Sequence, residues 1–459
     1  MHSRVIVVGA GVAGLTAAHD LSAAGHDVLV LEAAPRTGGK ILRHEVAGVA
    51  VDVGAEAMLN RRPEGVGLAR AVGLEVVHPA LASSRIWTRG ALRPLPRSLM
   101  GVPLDLEQLA ASGVLSEAGL ARVRQEPSLP PERIEGDLSV GDLVARRFGD
   151  EVTDRLVEPL LGGVYAGHAR LLSARASVPQ LVAFAERGSL LEQAAAIPTT
   201  YDLPVFAGLP GGMGGLTEAL SARVDVRTGS TVRSLERDGR GFALGVGPTT
   251  ATERMSADAV VLATPAAPTA RLLEGLAPVA SAELREVEYA SMAVVTLAFR
   301  AAEVAALEET GSSGFLVPPI DGRRIKASTF SFAKWDWVRS AGAAEGVVHL
   351  RTSLGRHGDE AALQASDEEL VAVSLADLAD ATGLDARPVD THVQRWGGGL
   401  PQYAVGHLDR VARIRADVAR VPGLAVCGAA YDGVGIAAVV ASAHRAAAEA
   451  VRGDGTMEP

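Results

Sequence analysis

Gly9, Gly11 and Gly14 stand in the run Gly9-Ala10-Gly11-Val12-Ala13-Gly14, between a β-branched strand pattern at Arg4–Val8 and an Ala/Leu-rich helical pattern at Leu15–Ala24. The first glycine makes a tight turn, the second lets backbone approach a pyrophosphate, and the third lets helix pack on strand. The helix N-terminus then offers free N–H groups and a positive dipole end to phosphates. Glu32 closes the next strand pattern, Val28–Leu31, where its carboxylate can accept ribose hydroxyls. Ala33 follows it, and Arg36-Thr37-Gly38-Gly39-Lys40 comes next. Arg36 supplies a planar fork to a pyrophosphate and the two glycines let the chain pass close to it. The spacing predicts dinucleotide binding.

Other chemistries find little material here. The chain of 459 residues carries 44 basic and 54 acidic side chains, a net charge of −10, the wrong sign for a protein held on nucleic acid by phosphate neutralisation. Its single cysteine, Cys427, removes any internal disulfide or Cys-based zinc site and reads as a buried thiol in a reducing compartment. No His pair at i, i+4, no metal-ligand set and no Ser-His-Asp arrangement stands out, and His407 reads as a packing or capping residue. Only three cations are lysines, Lys40, Lys326 and Lys334. The N-terminal residues show no export leader, which points to the cytoplasm. No run reaches the roughly 18 apolar residues of a spanning helix, so any membrane contact would be peripheral.

The elements that must position these residues follow from the pattern. A prior of ~150 residues per domain suggests about three domain-sized bodies. Residues 4–32 read as one βαβ unit, residues 41–53 as a hairpin turning at Gly48, and Glu64–Val72 as a helix. Residues 105–200 read as mostly helical, interrupted by the loop Gln125–Asp137 and restarted by a capping box at Ser139–Asp142. Short strands then appear at Val224–Val226, Ala259–Ala263, Val294–Phe299, Gly314–Val317 and Val347–Ser353, with helices at Asp367–Thr382 and Ile436–Val451. The prediction is a mixed α/β fold with a doubly used chain. A dinucleotide domain comprises 1–80, 205–275 and 415–459, a substrate-binding sheet domain 81–104 and 276–414, and an inserted helical domain 105–204.

The stretch Glu32-Ala33-Ala34-Pro35-Arg36-Thr37-Gly38-Gly39 resembles the extended FAD signature of the glutathione-reductase-type flavoproteins, which include amine oxidases, phytoene desaturases and porphyrinogen oxidases. Val51-Asp52-Val53-Gly54-Ala55-Glu56, with Ala57, is similar to the segment these proteins run beside the flavin. Gly428, then Gly433-Val434-Gly435-Ile436, resembles their closing motif, whose N–H groups face the flavin pyrimidine edge, where negative charge develops on reduction. Val157-Glu158-Pro159-Leu160-Leu161-Gly162-Gly163-Val164-Tyr165-Ala166-Gly167, Arg395-Trp396 with Leu400-Pro401-Gln402-Tyr403-Ala404-Val405-Gly406-His407, and Gly90 through Pro96 resemble segments particular to the porphyrinogen oxidases. Gly38-Gly39-Lys40-Ile41 and Thr329-Phe330-Ser331-Phe332-Ala333-Lys334-Trp335 look more like the Gram-positive branch.

That resemblance implies FAD, molecular oxygen as acceptor and a step of heme synthesis. In the Gram-positive branch the implied reaction is oxidation of coproporphyrinogen III to coproporphyrin III: six electrons, three O2 to three H2O2, by hydride transfer to flavin N5. It implies Arg85 as an anchor for a substrate carboxylate, Gly314 and Leu316 as pocket walls, Val232 at the adenine end, Trp396 against the ring and Lys40 near the flavin. A ferrochelatase is the implied acceptor of the porphyrin. Three alternatives stay open: protoporphyrinogen IX as substrate, a flavin amine oxidase, and a flavin-free binding protein of the GDP-dissociation-inhibitor kind.

Overall fold

Val5-Ile6-Val7-Val8 is apolar without alternation, the pattern of a strand buried on both faces of a parallel sheet. The computed structural model describes residues 3–80, 83–195, 197 and 204–452, so positions 196 and 198–200 of the predicted helical stretch lie outside the described residues. Five parallel strands run side by side in the order Asp225–Arg227, Asp27–Leu31, Arg4–Val8, Ala259–Leu262, Leu424–Val426. Successive side chains leave opposite faces of a strand. Val5 and Val7 accordingly enter one core, with the helices Val12–Ala23, Pro63–Ala71, Gly214–Ser221 and Ile436–Ala450. Ile6 and Val8 enter a second core. It is closed by the antiparallel strands Val232–Asp238, Gly241–Val246 and Glu253–Ala257 and by the helices Ala266–Leu273, Pro278–Arg285 and His407–Val418.

A second sheet has seven strands in the order Asp390–Pro401, Tyr289–Arg300, Val347–Leu354, Ile325–Thr329, Gly314–Leu316, Arg85–Thr88, Ala91–Pro94. Its pairs are antiparallel except Gly314–Leu316 with Arg85–Thr88. One face carries Val295, Leu297, Phe315, Ile325 and Leu350 against the helix Asp367–Thr382. That helix runs as predicted because both ends are written locally: Ser366 and Glu369 form a reciprocal capping box, and Gly383 closes it in the left-handed conformation.

The stretch between these sheets is helical, with Leu106–Ser112, Glu117–Val123, Val140–Phe148, Glu158–Tyr165 and Pro179–Arg187 around one core. Ser139 caps its helix by accepting from the Asp142 N–H at 3.0 Å. Pro159 has no N–H to give, and just before it, at Thr153–Val157, the backbone widens to a π-turn. The Gln125–Asp137 loop is held by a buried ion pair between Arg147 and Glu126, whose carboxylate also accepts from Ser189 Oγ at 2.6 Å and the Leu190 N–H at 2.8 Å.

Two features were not visible in the pattern. The strand Asp390–Pro401 contains Gly397-Gly398-Gly399, which reads as loop, but Gly398 (φ +55°) lies beside a register shift between Ala290 and Met292 on the partner strand, and the ladder continues across it. The helices at Ala266–Leu273, Pro278–Arg285, Asp336–Glu345 and His407–Val418 were not singled out in the sequence; each is amphipathic and buries one face against a sheet or a neighbouring helix.

Candidate functional site

The C-terminal ends of the parallel strands open on an elongated cavity of about 460 Å³, the position where open α/β sheets bind ligands. The N-terminus of the helix Val12–Ala23 faces it, with Gly11 as N-cap, no side-chain cap and no acidic residue in the first turn. Ile436–Ala450 starts in the same way at Gly435. Two uncapped N-termini thus converge on one cavity, and each leaves N–H donors and a positive dipole end for negative charge.

The glycines are where steric necessity puts them. A Cβ on Gly14 would stand 1.8 Å from the Gly9 carbonyl oxygen, and one on Gly39 would stand 3.1 Å from Gly11 Cα. Gly38 (φ +97°) donates its N–H to the Ala10 carbonyl at 2.8 Å and bridges to Gly11, clamping the second loop on the first. The Glu32 carboxylate accepts from the N–H groups of Ala10 at 2.7 Å and Ala34 at 2.8 Å and lines the cavity. Arg36 folds back on the same loop, donating to the carbonyls of Thr37 and Gly39.

Of the residues predicted for the cofactor, Gly9, Gly11, Val12, Ala13, Glu32, Ala33, Gly38, Gly39, Lys40, Ala55, Val232, Gly428, Val434 and Ile436 line the cavity. Ala10, Gly14, Arg36, Gly54, Trp396 and Gly435 are not among the lining residues. Burial lowers the Lys40 ammonium to about 8, so it carries its charge at neutral pH, 5.8 Å from the Tyr289 ring centroid. Trp396 donates Nε1–H to the Val53 carbonyl at 3.1 Å, and its ring lies 3.0 Å from where a Gly54 Cβ would be. Glu56 points away from the cavity. Its carboxylate pairs with Lys334 at 2.6 Å and Arg351 at 3.2 Å; burial pushes it upward, and the two cations outweigh that and hold it low. Arg351 also donates to the Gly54 carbonyl at 2.8 Å, so Glu56 acts by fixing the backbone around Gly54. Ala57 packs beside the small core of Val46, Val49 and Val51, and is not part of the cavity wall.

Sequence reasoning did not single out Thr231, Pro265, Arg271, Leu272 or Tyr289, all cavity-lining. The usable signal was Thr264-Pro265 directly after the parallel strand Ala259–Leu262, because ligands collect at such strand ends.

The residues assigned to substrate divide between the two faces of the seven-stranded sheet. Leu316 pairs with Ile86 and Ala327, and Ala327 with Ser353; this row looks toward Glu158–Tyr165, with Leu316 3.7 Å from where a Gly163 Cβ would be. Leu316, Ala327 and Ser353 are only half-buried, and Gly163 and Val164 across from them are exposed. The row is thus incompletely covered, and the strip between it and the helix Glu158–Tyr165 is a candidate slot for a flat substrate. Gly314, with φ +137°, lets the strand approach its partner: a Cβ there would stand 2.1 Å from the Ser328 carbonyl oxygen. Arg85, however, pairs with Phe315, whose ring sits in the opposite core, and its Nε–H donates to the Thr310 carbonyl at 3.0 Å. The register therefore does not bring Arg85 to the slot with Leu316.

Cys427 is fully buried, which pushes its thiol up to about 12, and His407 is buried, stacked on Tyr403 at 3.9 Å. Among the described residues no helix is long and apolar enough to cross a membrane, and no group of three His, Cys, Asp or Glu could hold a metal ion.

Comparison with known proteins agrees with this geometry. The chain is 39% identical over 451 residues to coproporphyrinogen III oxidase of Mycobacterium tuberculosis (strain ATCC 25618 / H37Rv), covering 96% of this chain and 95% of that protein. The protein of that name from Bacillus subtilis (strain 168) is 30% identical, with 94% of each covered. A solved structure from Exiguobacterium sp. 255-15 superposes with a TM-score of 0.85 at 31% identity over 98% of both chains. A putrescine oxidase structure superposes at 0.70 with 19% identity, covering 97% of this chain and 98% of that one, a likeness of fold. The family model described as flavin containing amine oxidoreductase matches residues 12–451, and the chain belongs to that family.

Proposed function

We propose that this protein oxidises coproporphyrinogen III to coproporphyrin III, with FAD as its flavin and O2 as acceptor. The observation that carries the reading is near-full-length identity of 39% to proteins with that activity in their name, joined to a cavity on which two uncapped helix N-termini converge. Aromatisation removes six electrons, so three O2 become three H2O2 per porphyrin. Bound in this cavity, FAD would supply the hydride-acceptor and O2-reducing chemistry.

The chain's own residues supply position and field. The Gly11–Ala13 N–H groups and the Gly38–Gly39 loop would hold the pyrophosphate, Glu32 the ribose and Val232 the adenine end. Lys40 and the first turn at Ile436 stabilise negative charge at the ring. Leu316 and Ala327 would offer a flat apolar surface to the macrocycle, Gly163 opposite them would leave room for it, and Trp396 would pack behind Gly54. Cytoplasmic location and hand-over of the porphyrin to a ferrochelatase belong to the same reading.

The test is to purify the protein, record its visible spectrum, and follow porphyrin fluorescence under air with coproporphyrinogen III and protoporphyrinogen IX in parallel. A yellow protein that prefers the tetracarboxylate and forms three H2O2 per porphyrin is the expected result. A yellow protein that prefers the dicarboxylate shifts the assignment to protoporphyrinogen oxidation. One inactive on both overturns the reading.

A further inference from the structure

Two neighbouring cations at the end of the Leu316 strand, Arg356 and the buried Lys326, form no ion pair with a described residue. Lys326 is 2% exposed. Its ammonium donates to the Gly355 carbonyl at 2.7 Å and forms no ion pair with any described residue. Arg356, the next residue along that loop and half-buried, donates Nη2–H to the Val317 carbonyl at 3.1 Å and likewise forms no ion pair with a described residue. Gly355 (φ +87°) makes the turn that presents its carbonyl to Lys326 and sends the Arg356 side chain to the strand of Leu316. Val317 closes the ring by donating its N–H to the Lys326 carbonyl at 2.9 Å.

The acids within electrostatic reach of Arg356 are Glu158 and Asp359. Glu158 is engaged by the Ala169 N–H at 3.0 Å and burial raises its carboxyl; Asp359 is exposed. Burial and the Arg356 charge together lower Lys326 to about 7. The loop is docked on the slot's far wall, since the His357 N–H donates to the Ala166 carbonyl at 2.7 Å.

Burying two like charges side by side is costly unless a counter-charge arrives. We propose that Arg356, backed by Lys326, receives a carboxylate of the substrate at the Leu316 end of the slot, the role that sequence resemblance gave to Arg85. The inference rests on the porphyrinogen reading above and adds to it a residue pair that holds a substrate carboxylate. A guanidinium offers the bidentate fork that a propionate accepts, and its anchor on Val317 places that fork beside the apolar row that contacts the ring.

The experiment compares FAD-loaded wild type with Arg356→Gln, Arg356→Lys and Lys326→Met. Readouts are steady-state kinetics on coproporphyrinogen III and equilibrium binding of coproporphyrin III against its tetramethyl ester, which has the same ring and no charge. Arg356→Gln is expected to raise KM roughly 10- to 100-fold with kcat little changed, as loss of a charged hydrogen bond would, and to erase the preference for the free acid over the ester. Arg356→Lys restores part of that preference, and Lys326→Met weakens it while leaving the flavin spectrum and the melting temperature near wild type. A wild type that turns over coproporphyrinogen III while Arg356→Gln keeps the full acid-over-ester preference overturns this inference alone. A wild type inactive on porphyrinogens overturns the functional reading and this inference with it.

Discussion

The chemistry rests on a few backbone positions whose neighbours leave no freedom. Gly14 is the sharpest case, because any side chain there collides with the Gly9 carbonyl that shapes the phosphate turn. Gly14→Ala is therefore expected to yield protein that retains little flavin, read directly as loss of visible absorbance per mole of purified chain. Glu32→Ala leaves two N–H groups, on Ala10 and Ala34, without their acceptor. Each such loss costs about 1–3 kcal/mol, and the same spectrum, with a flavin titration, is expected to show at least tenfold weaker binding. The turn role of Gly14 was legible in the sequence, since it depends on local geometry, whereas the bond from the Ala10 N–H to Glu32, 22 residues along the chain, was not. Glu56 was not: its motif position suggested the flavin, yet its charge is spent on Lys334 and Arg351, residues far away in the chain.

At the scale of elements, the helical insert is held by one buried knot. Glu126, with side-chain exposure of 0%, joins Arg147, Ser189 and Leu190, and so ties the Gln125–Asp137 loop to two helices. Removing one partner of a buried ion pair costs about 3–5 kcal/mol, because the other charge is left unpaired. Glu126→Gln should accordingly lower the first thermal transition by several degrees while the flavin spectrum of the folded protein is unchanged. If flavin is lost in step with that transition, the insert and the parallel sheet unfold as one unit. A capping residue made this region readable, since Ser139 starts a helix where the sequence places it, and Ser366 does the same for the helix on the seven-stranded sheet. The Gly397–Gly399 strand was unreadable because its pairing is stabilised from the neighbouring strand, against the local preference of three glycines.

Across the whole molecule, the hairpin behind the flavin loop is joined to both sheets through titratable groups. Burial raises the Asp52 carboxyl to about 7, followed by opposing effects: the Met213 N–H and Arg351 lower it, and Glu56 raises it. An acid whose folded-state value lies above its unfolded value of 3.8 binds its proton more tightly in the native protein. It contributes stability below that unfolded value and loses it as pH rises through about 7, at up to about 1.4 kcal/mol per pH unit. Asp52→Asn keeps an acceptor for the Met213 N–H and carries no charge. The variant is expected to gain on wild type in melting temperature between pH 5 and pH 8; a constant difference across that range would show that Asp52 does not titrate in the folded protein.

What the sequence by itself determined are the features set by near neighbours: the glycine turns, the helix starts behind them, the apolar strands of the parallel sheet and the family to which they point. These depend on φ, on caps and on runs of apolar residues, all written within a few positions. The tertiary structure alone decided which distant residues share a face. Strand register placed Leu316 beside Ile86 and Arg85 beside Phe315, so two residues that seemed to serve one pocket lie on opposite sides of the sheet. The same register, with one left-handed turn at Gly355, brought Lys326 and Arg356 together at the slot. A shift of one residue along a strand exchanges its two faces, and that choice is made by packing against the rest of the molecule.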